Sequence, residues 1–221
     1  MYLMLALAKN DRDYGQEMKD GKWNRGVGIE LAGKILGLIG YGNIGKIHAK
    51  IAHGFGMKII ACRKNRKKGN EGLDFVDIVD FDCLLEKSDM VSVLLPLIEH
   101  GSCKTERLIG KMELEKIGGT GLGWLINTSR GAIINEKDLI ESLESGVIKK
   151  AALDVYETEP LLEHSELRRL PNVVLTPHIA GDTKEALITR YTLIAENAIR
   201  VMNNERPEYI VKELQSVFAN L

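Results

Sequence analysis

Short apolar runs recur along the chain at residues 35–40, 58–62, 75–79, 90–95, 124–127, 150–155 and 173–176, each of strand length. Amphipathic stretches with helical spacing separate most of them, at 44–55, 82–86, 106–116, 136–145 and 165–169, and a last long one covers 183–203. Strands alternating with helices predict a parallel sheet wrapped by helices. Several strand candidates are apolar throughout rather than alternating, which fits a sheet covered on both faces. The expected class is α/β with a doubly wound parallel sheet. Residues 1–8 are almost entirely apolar and too short to span a bilayer. They lack a basic leader and run straight into Lys9, Asn10, Asp11, Arg12 and Asp13, so a buried helix is predicted rather than a signal segment. What covers that helix is left open. Residues 15–33 are polar and glycine-rich and read as a connection, and 118–123 form a second glycine-rich loop.

Charge narrows the choice of partners. The chain of 221 residues carries 30 basic and 31 acidic side chains. Such a balance gives no polyanion-binding face and no membrane-surface character, so neither nucleic acid nor membrane is an expected partner. Cys62, Cys83 and Cys103 lie far apart with no C-x-x-C pair, which fits a reducing compartment, and the cytoplasm is the expected location. The five histidines have no ligand spacing with the cysteines, so no metal site is expected.

The most specific chemistry follows the first strand candidate. Gly40-Tyr41-Gly42-Asn43-Ile44-Gly45 is a G-x-G-x-x-G turn between a strand and a helix. In a Rossmann-type sheet the first glycine permits the tight turn, the second lets a pyrophosphate approach the backbone, and the third lets helix pack on strand. The helix N-terminus then faces the phosphates. The bland reading is a glycine-rich structural turn. About twenty residues on, NAD-binding domains carry an acidic residue for the ribose hydroxyls. Here the second strand candidate ends at Cys62 and is followed by Arg63, Lys64, Asn65 and Arg66. Arginine can grip a 2′-phosphate bidentately and lysine adds charge, so NADP is favoured over NAD. Arg63 is the leading candidate, and a solvated basic loop is the alternative.

Three later segments each end a strand candidate, where open parallel sheets bind ligands. Asn127-Thr128-Ser129-Arg130-Gly131 offers an arginine able to hold a carboxylate. Leu153-Asp154-Val155-Tyr156-Glu157-Thr158-Glu159-Pro160 exits its strand with three carboxylates, and Thr176-Pro177-His178-Ile179-Ala180-Gly181 places a histidine behind a proline. Singly these read as a surface arginine, a solvated turn and a structural histidine.

In order and spacing, the four motifs resemble the D-isomer-specific 2-hydroxyacid dehydrogenases. The resemblance runs over nearly the whole chain, and residues 3–9 and 23–34 look like that family's interdomain helix and linker. It implies hydride transfer between a nicotinamide cofactor and a 2-keto or 2-hydroxy acid. It implies that Arg130 holds the substrate's carboxylate and carbonyl oxygen, that Glu159 pairs with the catalytic histidine, and that His178 is the acid/base. Cofactor contacts are expected from Gly40, Gly42, Asn43, Ile44, Gly45, Arg63, Lys64, Pro96, Thr128, Asp154, His178 and Gly181, with Asp154 by the nicotinamide carboxamide. Glu159 argues against the formate dehydrogenase branch, which has glutamine there. An arginine after the second strand resembles the NADPH-dependent glyoxylate/hydroxypyruvate reductase type. A histidinium suits proton donation to a developing oxyanion, and a neighbouring carboxylate orients it.

The same resemblance implies a homodimer formed largely through the nucleotide domain. It also implies a further segment of roughly a hundred residues ahead of this sequence, about a domain's worth. On that expectation residues 1–33 are a remnant of the interdomain helix and linker, 34–181 the dinucleotide-binding domain, and 182–221 a helix returning to a missing substrate domain. Turnover by this polypeptide alone is then expected to be weak. The alternatives are a cofactor-binding interaction module like the corepressors of this family, or an inactive fragment. Residues 100–123 depart from the family pattern and carry no assigned role.

Overall fold

The computed structural model describes residues 1–9, 14–63, 73–119, 121–211 and 214–218. These fall into two compact units, Met1–His178 and Ile179–Leu221.

The first unit is built on seven parallel strands: β1 (Ile35–Ile39), β2 (Lys58–Cys62), β3 (Val76–Ile78), β4 (Met90–Val93), β5 (Trp124–Asn127), β6 (Lys150–Leu153) and β7 (Val173–Leu175). Their spatial order is β3-β2-β1-β4-β5-β6-β7, so the chain reverses direction of growth between β1 and β4. That is the switch point at which doubly wound sheets open a crevice. The helices are α1 (Tyr2–Ala8), α2 (Tyr14–Lys19), α3 (Asn43–Gly54), α4 (Phe81–Lys87), α5 (Lys111–Gly118) and α6 (Glu136–Glu144).

Both faces of the sheet are dry. On one, Leu84, Leu114, Ile117, Leu139 and Leu143 from α4, α5 and α6 pack with Ile39, Val91, Val93, Leu125 and Leu153. On the other, Leu3, Met4, Leu7, Ala49 and Ala52 from α1 and α3 pack with Leu36, Leu38, Met90, Trp124, Ile126 and Val174. Successive strand residues point to opposite faces. Trp124 and Ile126 thus join one core and Leu125 the other. This is why the strands read as unbroken apolar runs.

What covers the opening helix is the sheet itself. α1 lies against β6 and β7 and buries Leu3, Met4, Leu7 and Ala8. Lys150 Nζ donates to the Leu7 carbonyl at 3.0 Å and stands 5.0 Å over the Trp124 ring, a cation–π contact that ties the end of α1 to the sheet. The polar connection after α1 also holds the short helix α2, none of whose residues is buried.

The predicted helix over 106–116 is corrected to Lys111–Gly118. Residues 107–109 instead dock on the loop after β5: the Arg107 N–H donates to Ala132 O at 2.7 Å and the Ile109 N–H to Ile133 O at 3.1 Å. Ile109 is fully buried, and Arg107 takes a left-handed φ of 49°. Helix begins only after Gly110, the N-cap, whose N–H is held by Glu113 Oε2 at 3.0 Å.

The second unit is organised by α7 (Lys184–Met202), whose predicted limits hold because capping residues frame it. Thr183 accepts the Ala186 N–H at 3.1 Å, and Asn203 closes the other end. No residue of α7 is buried. Asn197 pairs twice with the backbone of Glu208, folding the following turn back on the helix. Among the described residues no helix is long and apolar enough to cross a membrane, and no group of His, Cys, Asp or Glu is arranged to hold a metal ion.

Candidate active site

The three glycines of the first turn differ in their surroundings. Gly40 has φ of 106°, and an added Cβ would meet the Leu94 carbonyl oxygen at 2.6 Å. It must therefore be glycine both for backbone and for space. At Gly45 a Cβ would meet the Gly40 carbonyl oxygen at 2.6 Å, so α3 packs directly on the turn. Over Gly42 a Cβ would meet nothing within 4 Å. Gly42 is the N-cap of α3 and no side chain caps that helix. Open space over bare backbone at a helix N-terminus is what a pyrophosphate requires, so these residues fit a dinucleotide. Asn43 and Ile44 are exposed in the first turn of α3.

Arg63 is brought to the same turn by strand pairing. Ile39 pairs with Cys62, and the Gly40 N–H donates to the Cys62 carbonyl at 3.1 Å. Arg63 therefore follows directly on the residue that braces the glycine turn. Lys64 and Arg66 lie outside the described residues. Pro96 is exposed just past the end of β4, and its carbonyl accepts the Thr105 hydroxyl at 2.7 Å. Thr128 lies partly buried just beyond β5.

The other candidates gather beyond the ends of β5, β6 and β7. Asn127, only 1% exposed, ends β5 and organises the next turn. Its amide donates to the Arg130 carbonyl at 2.9 Å, and its oxygen accepts both the N–H and the hydroxyl of Ser129 at 3.1 Å. Its backbone carbonyl takes the Asp154 N–H at 2.9 Å. Asp154, also 1% exposed, accepts the Thr176 hydroxyl at 2.6 Å through its carboxylate and the His178 N–H at 2.8 Å through its backbone. The chain is thus pinned across three adjacent strand ends. His178 sits at φ of 54°, a left-handed conformation that a residue with a Cβ adopts only when its surroundings enforce it.

Glu159 meets His178 from the turn after β6. His178 Nδ1 lies 2.7 Å from Glu159 Oε2, and Glu159 Oε1 accepts the Tyr156 N–H at 3.1 Å. A carboxylate acceptor makes Nδ1 the donor and leaves Nε2 facing away from Glu159. Burial pushes the Glu159 carboxyl up, but the His178 hydrogen bond, the Tyr156 N–H and the charges of His178 and Arg130 outweigh it and hold the group below the ordinary glutamate value. Tyr156 stabilises the turn from inside: its hydroxyl donates to the carbonyl of Thr176 at 2.8 Å and also approaches that of Leu153 at 3.2 Å. Burial first, then the Asp154 charge, push the Tyr156 phenol up to about 12.

Arg130 reaches the pair through charge, while its guanidinium donates to the Ser129 carbonyl at 2.7 Å. The two turns nonetheless touch: a Cβ at Gly131 would run into the backbone of Tyr156 and Glu157. A cavity of about 580 Å³ opens beside the pair, lined by Glu159, His178, Tyr156 and Arg168 with Pro160, Leu161, Leu175, Thr176 and Pro177. Gly181 belongs to the other compact unit. Asn127, Tyr156 and Thr176 carry no role in the sequence reading. For Asn127 the signals are its place at the head of the Asn127–Gly131 motif and a polar side chain closing an apolar strand.

The family model for the D-isomer specific 2-hydroxyacid dehydrogenase, NAD binding domain, matches residues 1–180. A glyoxylate reductase of Thermococcus litoralis is 38% identical over 220 residues, which cover 96% of this chain and 64% of the relative. The solved D-isomer specific 2-hydroxyacid dehydrogenase of Lactobacillus delbrueckii ssp. bulgaricus, in its NAD complexed form, superposes with a TM-score of 0.78 at 27% identity, covering 96% of this chain and 66% of that one. An NADPH-dependent glyoxylate/hydroxypyruvate reductase of Sinorhizobium meliloti, solved with NADP and sulfate, gives 0.77 at 26% identity, covering 97% and 66%. The chain thus spans a little under two thirds of the length of these relatives. By its matched residues and its fold, this chain belongs to the D-isomer specific 2-hydroxyacid dehydrogenases, and it carries their NAD-binding domain.

Proposed function

We propose that this chain provides the nucleotide-binding half and the acid/base residues of an NADPH-preferring reductase of short 2-keto acids, of the glyoxylate/hydroxypyruvate type. The observation that carries the reading is the 2.7 Å contact between His178 Nδ1 and Glu159 Oε2 at the carboxyl end of the sheet that bears the glycine turn. Glyoxylate reduction by the Thermococcus litoralis relative supports the substrate class.

In this reading Gly40, Gly42 and Gly45, with the first turn of α3 at Asn43 and Ile44, cradle the pyrophosphate. Arg63, with Lys64 in support, binds the 2′-phosphate that distinguishes NADPH. Pro96, Thr128 and Asp154 flank the cofactor, Asp154 by the carboxamide. When bound, NADPH supplies the hydride to C2 of the keto acid. Arg130 exchanges the Ser129 carbonyl for the substrate's carboxylate and carbonyl oxygen, orients the substrate and stabilises the negative charge that develops there. His178 gives the proton on Nε2 to that oxygen, which becomes the hydroxyl of the 2-hydroxy acid. Glu159 keeps the ring oriented through its contact with Nδ1. The active form is a homodimer joined through the nucleotide domain, working in the cytoplasm.

The test is NADPH consumption with glyoxylate and with hydroxypyruvate, in an assembled form that includes a substrate domain. Substitution His178→Gln is expected to lower kcat by a factor of about 10²–10⁴ with little change in NADPH affinity. A kcat that survives the substitution removes the acid/base role. A thermal shift with NADPH and no turnover in any assembled form would favour a cofactor-binding module instead.

A further inference from the structure

Glu157 stands two residues ahead of Glu159 and has no part in the reaction just described. Its carboxylate nevertheless caps a helix. Glu157 Oε1 accepts the Glu136 N–H at 3.4 Å at the start of α6, and Glu136 Oε2 accepts the Glu157 N–H at 3.1 Å. Two glutamates thus hold each other's backbone. A third group joins from the docked segment before α5, where Arg107 Nε lies 3.6 Å from Glu157 Oε1. Burial first, and then the Glu157 charge, push the Glu136 carboxyl up, against the hydrogen bond from the Glu157 N–H, which favours its ionised form. Gly131 presses on the same peptide, because its missing Cβ leaves room for the backbone of Tyr156 and Glu157.

We propose that Glu157 is a positioning residue: locked reciprocally to Glu136, it fixes the turn that presents Glu159 to His178. Between β6 and Pro160 the turn spans only residues 154–159, and among the described residues the backbone donor that holds Glu159 there is the Tyr156 N–H. Glu157 supplies the outer anchor of that turn, as the Tyr156 hydroxyl supplies the inner one. The importance of the clamp for catalysis rests on the acid/base role proposed for His178. The clamp itself can be measured without turnover.

The experiment is a carboxyl ¹³C NMR titration of the chain labelled at glutamate, with the Glu159 signal assigned by Glu159→Gln. Releasing the clamp loosens the Glu159–His178 contact, so in Glu157→Ala the Glu159 midpoint is expected to rise by at least about half a pH unit. Removing a neighbouring negative charge alone would lower it, so the sign separates the two causes. Glu157→Gln keeps an oxygen for the Glu136 N–H and is expected to leave the midpoint at or below its original place. Glu136→Ala, which cuts the reciprocal bond from the helix side, is expected to reproduce the rise and serves if Glu157→Ala does not fold. A Glu159 midpoint that stays put in the folded alanine variants, whatever happens to their Tm, overturns the proposal. Loss of the catalytic reading would leave these titrations unchanged, and failure of the clamp would leave the His178→Gln result unchanged.

Discussion

Both oxygens of Glu159 are engaged, one by the Tyr156 N–H at 3.1 Å and the other by His178 Nδ1 at 2.7 Å. The carboxylate is thereby anchored to its own turn while it orients a ring nineteen residues further along the chain. Its carboxyl is held below the ordinary value, so the stability contributed by the ionised carboxylate is fully present above about pH 4.3 and is lost as pH falls through the lower folded value. Glu159→Gln is expected to remove that acid-side dependence and, in an assembled enzyme, to cut kcat by about 10-fold or more. Unfolding curves at several acidic pH values and a pH–rate profile check both halves.

His48 carries a separate pH dependence. It sits on α3 with Nε2 3.2 Å from Met4 Sδ on α1. Burial, and then the Met1 ammonium, push it down to about 4. The unfolded chain takes up this proton near pH ~6.5, ahead of the native state, so stability falls as pH drops from about 6.5 to about 4 and no further below that. The loss is at most about 3 kcal/mol. His48→Gln is expected to flatten this limb in urea titrations at pH 7 and pH 4.5; identical pH dependence in both proteins would contradict it.

Gly42 and Gly45 are expected to separate binding from stability. Over Gly42 there is room for a methyl group, so Gly42→Ala should change stability by less than about 0.5 kcal/mol yet weaken NADPH where the pyrophosphate approaches. Gly45→Ala drives a Cβ onto the Gly40 carbonyl and should cost about 1–3 kcal/mol. Urea unfolding and cofactor titration on the two variants distinguish the effects.

At Arg63 the expectation concerns discrimination. A bidentate contact to phosphate is worth roughly 1.5–3 kcal/mol, so Arg63→Asp should weaken NADPH by about 10–100-fold and leave NADH unchanged or improved. Fluorescence titration of both reduced cofactors measures it, and tighter binding of NADH by the unaltered protein would remove the proposed preference.

Much of this was legible from residue pattern, because the deciding interactions are local or periodic. The seven apolar runs became seven strands, since burial on both faces leaves no polar positions to blur them. The helix ends at Thr183 and Asn203 are caps, readable from residue type alone. The start of α5 was not legible: residues 106–110 have helical spacing, but Ile109 gains more from pairing with the loop at Ile133 and Asn135, a contact distant in sequence. The same limit hid the clamp. Glu157 looks like any solvated acid in a turn until Glu136 is brought against it from 21 residues away. Gly131 likewise reads as a turn glycine, whereas its need is space for the Tyr156 backbone.

Gly131→Ala follows from that space. The displaced atoms are backbone, so the Arg130 turn and the Glu159 turn must separate, at a cost of about 1–3 kcal/mol. In an assembled enzyme kcat should fall with it, whereas NADPH affinity, set at the glycine turn, should hold. Thermal denaturation and cofactor titration of the variant test the split.

The central claim is that Arg130, Glu159 and His178 serve one reacting carbonyl beside a dinucleotide seated over Gly42. A crystal structure of the protein with NADPH and an unreactive 2-keto acid analogue such as oxamate tests it most directly. The expected result has the pyrophosphate over Gly42, the guanidinium of Arg130 on the analogue's carboxylate, and His178 Nε2 about 3 Å from its carbonyl oxygen. An analogue bound away from His178, or a nicotinamide ring lying away from the ends of β5, β6 and β7, would contradict it.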